Sequence, residues 1–393
     1  MLENSFITYF IIFKEQNPLN QNRNKKTNVL HLLLSLEVGG AERIVYSMME
    51  KNRSDLFIYS ACCLDSKGSY GNELELKGGK VTLLPRKPGI DWSMPWKLAR
   101  LIQRERVDMI HAHGETPWFY GTLASMLLCG RVRCMTTVHG YGGGDRTQLE
   151  KANLWTMLTF FSHKVVVVSD ILFNEISSRC FIPRKNMMTI INGVDIARID
   201  SSVKLSREDW NIGENTKVLG TISRLSAIKN HRLLLRSLER LTKIGQDMKL
   251  VIVGGGPERE SLEQLTQELG VQEAVIFTGE RSDAVSFFSL FDIFVLPSLS
   301  EGISMTILEA MASNTPVIAS NVGGNNELIT HEVNGFLFES ENLDDLVQTI
   351  LRVADNPEEA RNAAHKSRQK VEREYSFERM VSQYEEIYNS AVG

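Results

Sequence analysis

The chain has 393 residues, 42% hydrophobic and 23% charged, which is the size and balance of a soluble globular protein with two domains. A formal net charge of −4 removes any global electrostatic case for binding nucleic acid. Five cysteines (Cys62, Cys63, Cys129, Cys134, Cys180) with no C-x-x-C spacing exclude a metal-knuckle framework and read as reduced thiols of a cytosolic protein.

The apolar run Phe6–Phe13 is much shorter than the roughly 20 residues that cross a bilayer. No basic residue precedes it and no small-residue cleavage site follows, so residues 1–27 read as a disordered leader outside the fold. From Val29 strand and helix patterns alternate. Strands are expected at 29–35, 57–63, 80–84, 109–113, 133–138, 164–168 and 188–191, with helices opening near Ala41 and covering 95–105 and 120–128. A second series follows N-G-V-D (Asn192–Asp195), with strands at 217–222, 249–253, 275–278, 293–296 and 316–319 and helices at 230–244, 258–269 and 304–311. Such alternation means parallel βαβ units in two domains, 28–195 and 196–375. The tail is amphipathic, with Met380, Tyr384, Ile387 and Tyr388 on one stripe, and residues 376–393 are expected to cross back to the first domain.

Chemistry concentrates at strand ends. After the strand ending at Leu296 come Pro297-Ser298, then Glu301-Gly302-Ile303-Ser304 and a helix carrying Glu309. Ligands of open α/β sheets bind at such carboxyl ends, and the amides of a helix start suit phosphate. Two carboxylates, Glu301 and Glu309, can then reach different parts of one ligand, which suggests a nucleotide-sugar site. Arg224 and Lys229 follow the first strand of the second series, where a guanidinium fork and an ammonium can neutralise a diphosphate. Gly39-Gly40 allow close backbone approach after strand one, and Gly254-Gly255-Gly256 make a tight turn. That turn lacks the last glycine of G-x-G-x-x-G, and no G-K-[ST] occurs, so a nicotinamide or P-loop site is not supported. His139 ends a strand in T-V-H-G-Y-G-G-G and can serve a sugar hydroxyl or developing positive charge. His111 and His113 have no ligand partner at metal-like local spacing, so they read as strand-end packing and no metal site is assigned.

Taken in order, G-G-A-E-R (39–43), V-H-G (138–140), N-G-V-D (192–195), S-R-L…K-N (223–230), V-G-G-G-P (253–257), P-S…E-G…L-E-A-M (297–311) and V-G-G-N-N-E-L-I (322–329) resemble the retaining glycosyltransferases of family 4. The resemblance implies the GT-B fold, two Rossmann-like α/β/α domains facing a central cleft. It implies that Arg224 and Lys229 grip the donor diphosphate with the Gly39 and Gly40 amides. Glu301, with the Gly302–Ser304 backbone nearby, meets sugar hydroxyls, Glu309 binds the ribose, and His139 lies by the anomeric carbon. Ile303 departs from the aromatic residue common in the family.

The expected reaction is hexosyl or N-acetylhexosaminyl transfer from a nucleoside-diphosphate sugar, UDP-linked first, to a saccharide or lipid-linked acceptor in bacterial polysaccharide or glycolipid assembly. No cofactor and no obligatory metal are expected, because no Asp-x-Asp occurs and fixed cations stand in for one. Trp92, Trp96, Lys97, Arg100 and Arg104 interleave aromatic and basic side chains. That face is expected either to touch an anionic membrane at the inner side of the cell membrane or to form an ordinary amphipathic helix. Trp118, Phe119 and Tyr120 are candidates for an acceptor channel or for the core. The alternatives are a nucleotide-sugar epimerase, which needs an acid/base pair not evident here, and a catalytically silent sugar-nucleotide-binding subunit.

Overall fold

The computed structural model describes residues 26–37, 39–139, 152–180 and 182–392. Almost all of the leader, and the Gly140–Gly144 stretch after His139, lie outside the described residues.

Thirteen strands are described, all in parallel sheets. β1 (Thr27–Ser35), β2 (Phe57–Ser66), β3 (Val81–Leu83), β4 (Met109–His113), β5 (Arg133–Val138), β6 (Val165–Val167) and β7 (Met187–Thr189) form one sheet in the order β3-β2-β1-β4-β5-β6-β7. β8 (Lys217–Ile222), β9 (Met248–Val253), β10 (Val275–Gly279), β11 (Ile293–Leu296), β12 (Val317–Ser320) and β13 (Phe336–Phe338) form a second, in the order β10-β9-β8-β11-β12-β13. Both orders reverse direction once, beside the first strand of the set, between β1 and β4 and between β8 and β11. Such a reversal opens a crevice at the carboxyl ends of the strands.

The strand sequences explain the layering. Parallel strands covered by helices on both faces read as continuous apolar runs, and every residue of Ile293–Leu296 and Val317–Ser320 is buried. In the second sheet Val218, Phe294 and Val317 belong to one apolar cluster, while their neighbours Leu219, Val295 and Ile318 belong to another. Successive side chains point to opposite faces, so the two clusters are the two sides of the sheet. Strand β13 and the helices Leu343–Asp355 and Pro357–Glu374 were not anticipated from the sequence.

The chain divides into two compact units. The first takes residues through Met135 with Phe161–His163 and Glu385–Gly393, and the second takes Thr136–Phe160 with Lys164–Tyr384. In the first unit the Tyr59 hydroxyl donates to Glu385 at 3.2 Å, and the Tyr388 hydroxyl lies 2.7 Å from His111 Nδ1. In the second, the N-G-V-D turn is laced to the segment before the last helix. Val194 N donates to Tyr375 O at 2.8 Å and Phe377 N to Val194 O at 3.0 Å. A Cβ on Gly193 would stand 2.5 Å from Ser376 O, so only glycine fits this backbone crossing.

Candidate active site

The loops after β8 and β11 meet at the reversal point of the second sheet. Leu299 N donates to Ile228 O at 2.8 Å, joining the two loops through their backbones. On that scaffold the Lys229 ammonium, at the end of the short turn Ala227–Lys229, lies 2.6 Å from Glu301 Oε1. The Ser298 hydroxyl donates to the same oxygen at 2.6 Å. The two side chains are 22% and 8% exposed, so the pair is shielded enough for its charges to matter. Arg224, earlier in the same loop as Lys229, is exposed, with no ion pair among the described residues. The site therefore holds one cation in contact with a carboxylate and one without such a partner among the described residues.

Neighbouring glycines hold these loops in place. Gly323 (φ +47°) and Gly324 pass so close to the Glu301 loop that a Cβ would lie 2.1 Å from Glu301 O and 1.9 Å from Gly302 O respectively. Gly324 N donates to Glu301 O at 3.2 Å. The Ser320 hydroxyl donates to Ser298 O at 2.5 Å, and Asn325 Nδ2 to Ser320 O at 3.0 Å, fixing the strand end from below. The Gly254–Gly256 run does the same for Arg224. Gly254 has φ +142° and a Cβ there would meet Ser223 O at 2.0 Å, while at Gly256 (φ +153°) it would meet Leu225 O at 2.4 Å. The Gly254 amide donates to Gly279 O at 2.9 Å, so it braces the turn.

Ser304 is the N-cap of the helix Met305–Ala312, with an extended backbone and a hydroxyl that accepts from Ile307 N at 3.4 Å. Cap residues of this kind leave the first amides of a helix aimed outward. The Ile303 side chain is buried in the apolar cluster, so only its backbone can reach a ligand. Glu309 lies in the second turn of this helix and is 5% exposed.

Two further positions lie on other elements. His139 follows β5, and burial lowers its imidazole to about 4, so the ring is neutral near pH 7. Gly39 (φ −165°) caps the helix Gly40–Glu50 in extended backbone. A Cβ on Gly39 would lie 2.3 Å from Glu42 Oε2, which places that carboxylate over the start of its own helix. Burial raises the Glu42 pKa.

Sequence reasoning passed over His231, Glu327 and Glu42. His231 Nε2 lies 2.9 Å from the Ser223 hydroxyl, and burial with the nearby Lys229 charge lowers its pKa to about 4. Glu327 accepts from the amides of Asp170 (3.1 Å) and Ile171 (2.9 Å), capping the helix Asp170–Arg179. Its only sequence signal was its place in V-G-G-N-N-E. Trp118 and Tyr120 are core residues, 0% and 2% exposed. The Trp118 indole donates to the Ser162 hydroxyl at 2.7 Å, and the Tyr120 hydroxyl accepts from Asp91 N at 2.8 Å.

Residues 38–198 match the family Glycosyltransferase Family 4, and residues 202–370 match Glycosyl transferases group 1. The chain is 29% identical over 308 residues to the N-acetyl-alpha-D-glucosaminyl L-malate synthase of Bacillus anthracis, covering 77% of this chain and 79% of that protein. It is 25% identical over 384 residues to the UDP-Gal:alpha-D-GlcNAc-diphosphoundecaprenol alpha-1,3-galactosyltransferase of Escherichia coli, covering 94% and 98%. Among solved structures, Anabaena HepE in complex with UDP superposes with a TM-score of 0.81 at 22% identity, covering 93% of this chain and all of that one. The two parallel-sheet α/β domains are those of a GT-B fold, and the chain belongs to glycosyltransferase family 4.

Proposed function

We propose that this glycosyltransferase moves a hexosyl or N-acetylhexosaminyl group from a UDP-sugar to a saccharide or lipid-linked acceptor, with retention, in bacterial polysaccharide or glycolipid assembly. The observation that carries the reading is the Lys229–Glu301–Ser298 cluster at the β8/β11 reversal, with the exposed Arg224 in the same loop as Lys229. Breaking a glycosyl–diphosphate bond puts negative charge on the leaving group, and fixed donors aimed at that charge lower the barrier most. Arg224 and Lys229 meet this need without a divalent ion on the donor. Glu301, already held by two donors, turns toward sugar hydroxyls, and Glu309 serves the ribose from the next helix. The amides of Gly302–Ser304 assist the diphosphate. Neutral His139 offers the sugar a hydrogen bond without adding charge against an oxocarbenium-like centre.

A UDP donor is supported by the UDP and UDP-glucose named for the HepE complexes. A lipid-linked acceptor is supported by the name of the Escherichia coli relative. We also assign a membrane contact to the face bearing Trp92 and Trp96, which are 69% and 61% exposed. Among the described residues no helix is long and apolar enough to cross a membrane, so any attachment through helices there is peripheral.

A panel of nucleotide sugars, with free nucleoside diphosphate as the readout, tests the assignment. UDP release is expected to need acceptor and to be unchanged when magnesium and manganese are omitted. Proton NMR of the product is expected to show the donor's anomeric configuration. Release restricted to another nucleotide, strict magnesium dependence or an inverted product each overturns its part of the proposal.

A further inference from the structure

Three histidines from distant parts of the sequence meet on one face of the first sheet. β1 and β4 pair with His31 opposite His111, and His113 follows two residues later on the same face. The ring centroids are 5.2 Å apart for His31–His111, 5.3 Å for His31–His113 and 4.1 Å for His111–His113. One nitrogen from each ring lies within 4.8 Å of the other two. His31 Nδ1 is 3.0 Å from His113 Nε2, and His31 Nε2 is buried with no hydrogen-bond partner. His31 and His111 are fully buried, and His113, the last residue of β4, is 8% exposed.

Three imidazoles are a costly way to fill a core if packing is their only task, because each carries polar nitrogens that an aliphatic residue lacks. We propose that His31, His111 and His113 form a binding site for a divalent transition metal of the zinc class.

The donor set is nitrogen only, which suits zinc and its borderline neighbours and disfavours magnesium or manganese, whose ligands are oxygen. Tetrahedral zinc with bonds near 2.0–2.1 Å places its nitrogens about 3.3 Å apart, and the His31–His113 pair is already close to that spacing at 3.0 Å. His111 would bind through Nε2, because its Nδ1 is with the Tyr388 hydroxyl. That hydroxyl then acts as the outer partner that fixes a ligand's tautomer and ring orientation. Rotation about the soft terminal torsion of each ring closes the remaining gap. The fourth position falls to water. The three ligands are too far apart in sequence for a spacing motif, so His111 and His113 read alone looked like packing. A bound ion would tie β1, β4 and, through Tyr388, the last helix together.

The test uses the full chain, freed of metal by a chelator and dialysed against excess zinc or cobalt. Wild type is expected to retain one zinc per chain after removal of free ion. Its Tm should rise by about 5 °C at saturating zinc, and the cobalt form should show the visible absorption of tetrahedral coordination. His31→Gln keeps a polar side chain of similar bulk and is expected to weaken zinc binding at least tenfold, while the surface variant His365→Ala does not. Wild type that holds no zinc, or whose cobalt form lacks the tetrahedral band, overturns the proposal. So does a folded His31→Gln protein with unchanged stoichiometry. If His31→Gln fails to fold, the wild-type cobalt spectrum alone decides.

Discussion

Lys229 and Glu301 face each other at 2.6 Å, although each was expected to serve a different part of the donor. The contact gives the pair two separable effects. Removing Lys229 leaves a carboxylate that is 8% exposed with the Ser298 hydroxyl as its remaining partner described above. An under-partnered buried charge of this kind costs about 2 kcal/mol. The same change removes a cation from the proposed diphosphate grip, where one donor is worth about 100-fold in turnover. A double variant separates the effects. Lys229→Ala should lower both Tm and kcat. Lys229→Ala with Glu301→Ala should recover Tm while kcat stays at least 100-fold down. Recovery of activity along with stability would make the pair structural. Arg224 supplies the contrast, because an exposed, unpaired side chain contributes within about 0.5 kcal/mol of nothing to stability. Arg224→Ala should leave Tm unchanged and still remove most activity.

At the scale of elements, most of the central strands were legible in the sequence, but the helix Leu343–Asp355 was missed although Leu346, Val347, Ile350 and Val353 form an apolar stripe at helical spacing. β4, β5, β8 and β11 were read with their observed limits; β11 is a continuous apolar run (I-F-V-L) stopped by Pro297, while β4 (M-I-H-A-H), β5 (R-C-M-T-T-V) and β8 (K-V-L-G-T-I) are short, largely apolar or β-branched segments between helical patterns. Phe336–Phe338 escaped because three residues are too few to show a period. Pro357–Glu374 escaped because its buried face is Ala360, Ala363, Ala364, Ser367 and Val371, small side chains that hardly stand out from a solvated helix. In the site, residue types and loop positions were legible, but pairings were not. Nothing in the spacing of Lys229 and Glu301 says that they touch, or that Glu327 caps a helix more than 150 positions earlier in the chain. Glycine roles were also hidden. Gly323 and Gly324 are there because the Glu301–Gly302 backbone passes against them. Gly324→Ala must push Gly302 O from 1.9 Å to contact distance, moving the loop that bears Glu301. It should lose about 1–3 kcal/mol of stability and raise donor KM. Gly270 (φ +68°), at the end of the helix Arg259–Leu269, has nothing within 4 Å of an added Cβ. Gly270→Ala should cost about 1 kcal/mol through backbone strain alone and leave KM unchanged. Equal KM for both variants would show that the Gly323–Gly324 contact does not position the site.

For the whole molecule, the proposed membrane contact would rest on the apolar or on the basic side chains of the stretch bearing Trp92 and Trp96. Sequence alone offered Trp92, Trp96, Lys97, Arg100 and Arg104, a mixed aromatic and basic set. Two of its cations turn out to be engaged: the Lys97 ammonium lies 3.4 Å from Asp91, and Arg104 lies 2.9 Å from Glu105. Each basic group near an anionic surface is worth about 1 kcal/mol, and less when paired. The net charge of −4 opposes approach to such a surface. Apolar contact is different. Ile90, Trp92 and Trp96 are 62%, 69% and 61% exposed, and burying them in the interface recovers about 25 cal/mol for each Å² of apolar surface. Insertion of these side chains therefore outweighs attraction of the basic ones. Vesicle flotation should show binding that survives 0.5 M salt and extends to neutral lipid. Trp92→Ala with Trp96→Ala should abolish it, and Arg100→Ala should reduce it only slightly. Loss of binding at moderate salt with no effect of the tryptophans would reverse that ranking. A protein that stays wholly in solution with anionic and neutral vesicles alike would remove the membrane contact from the proposal.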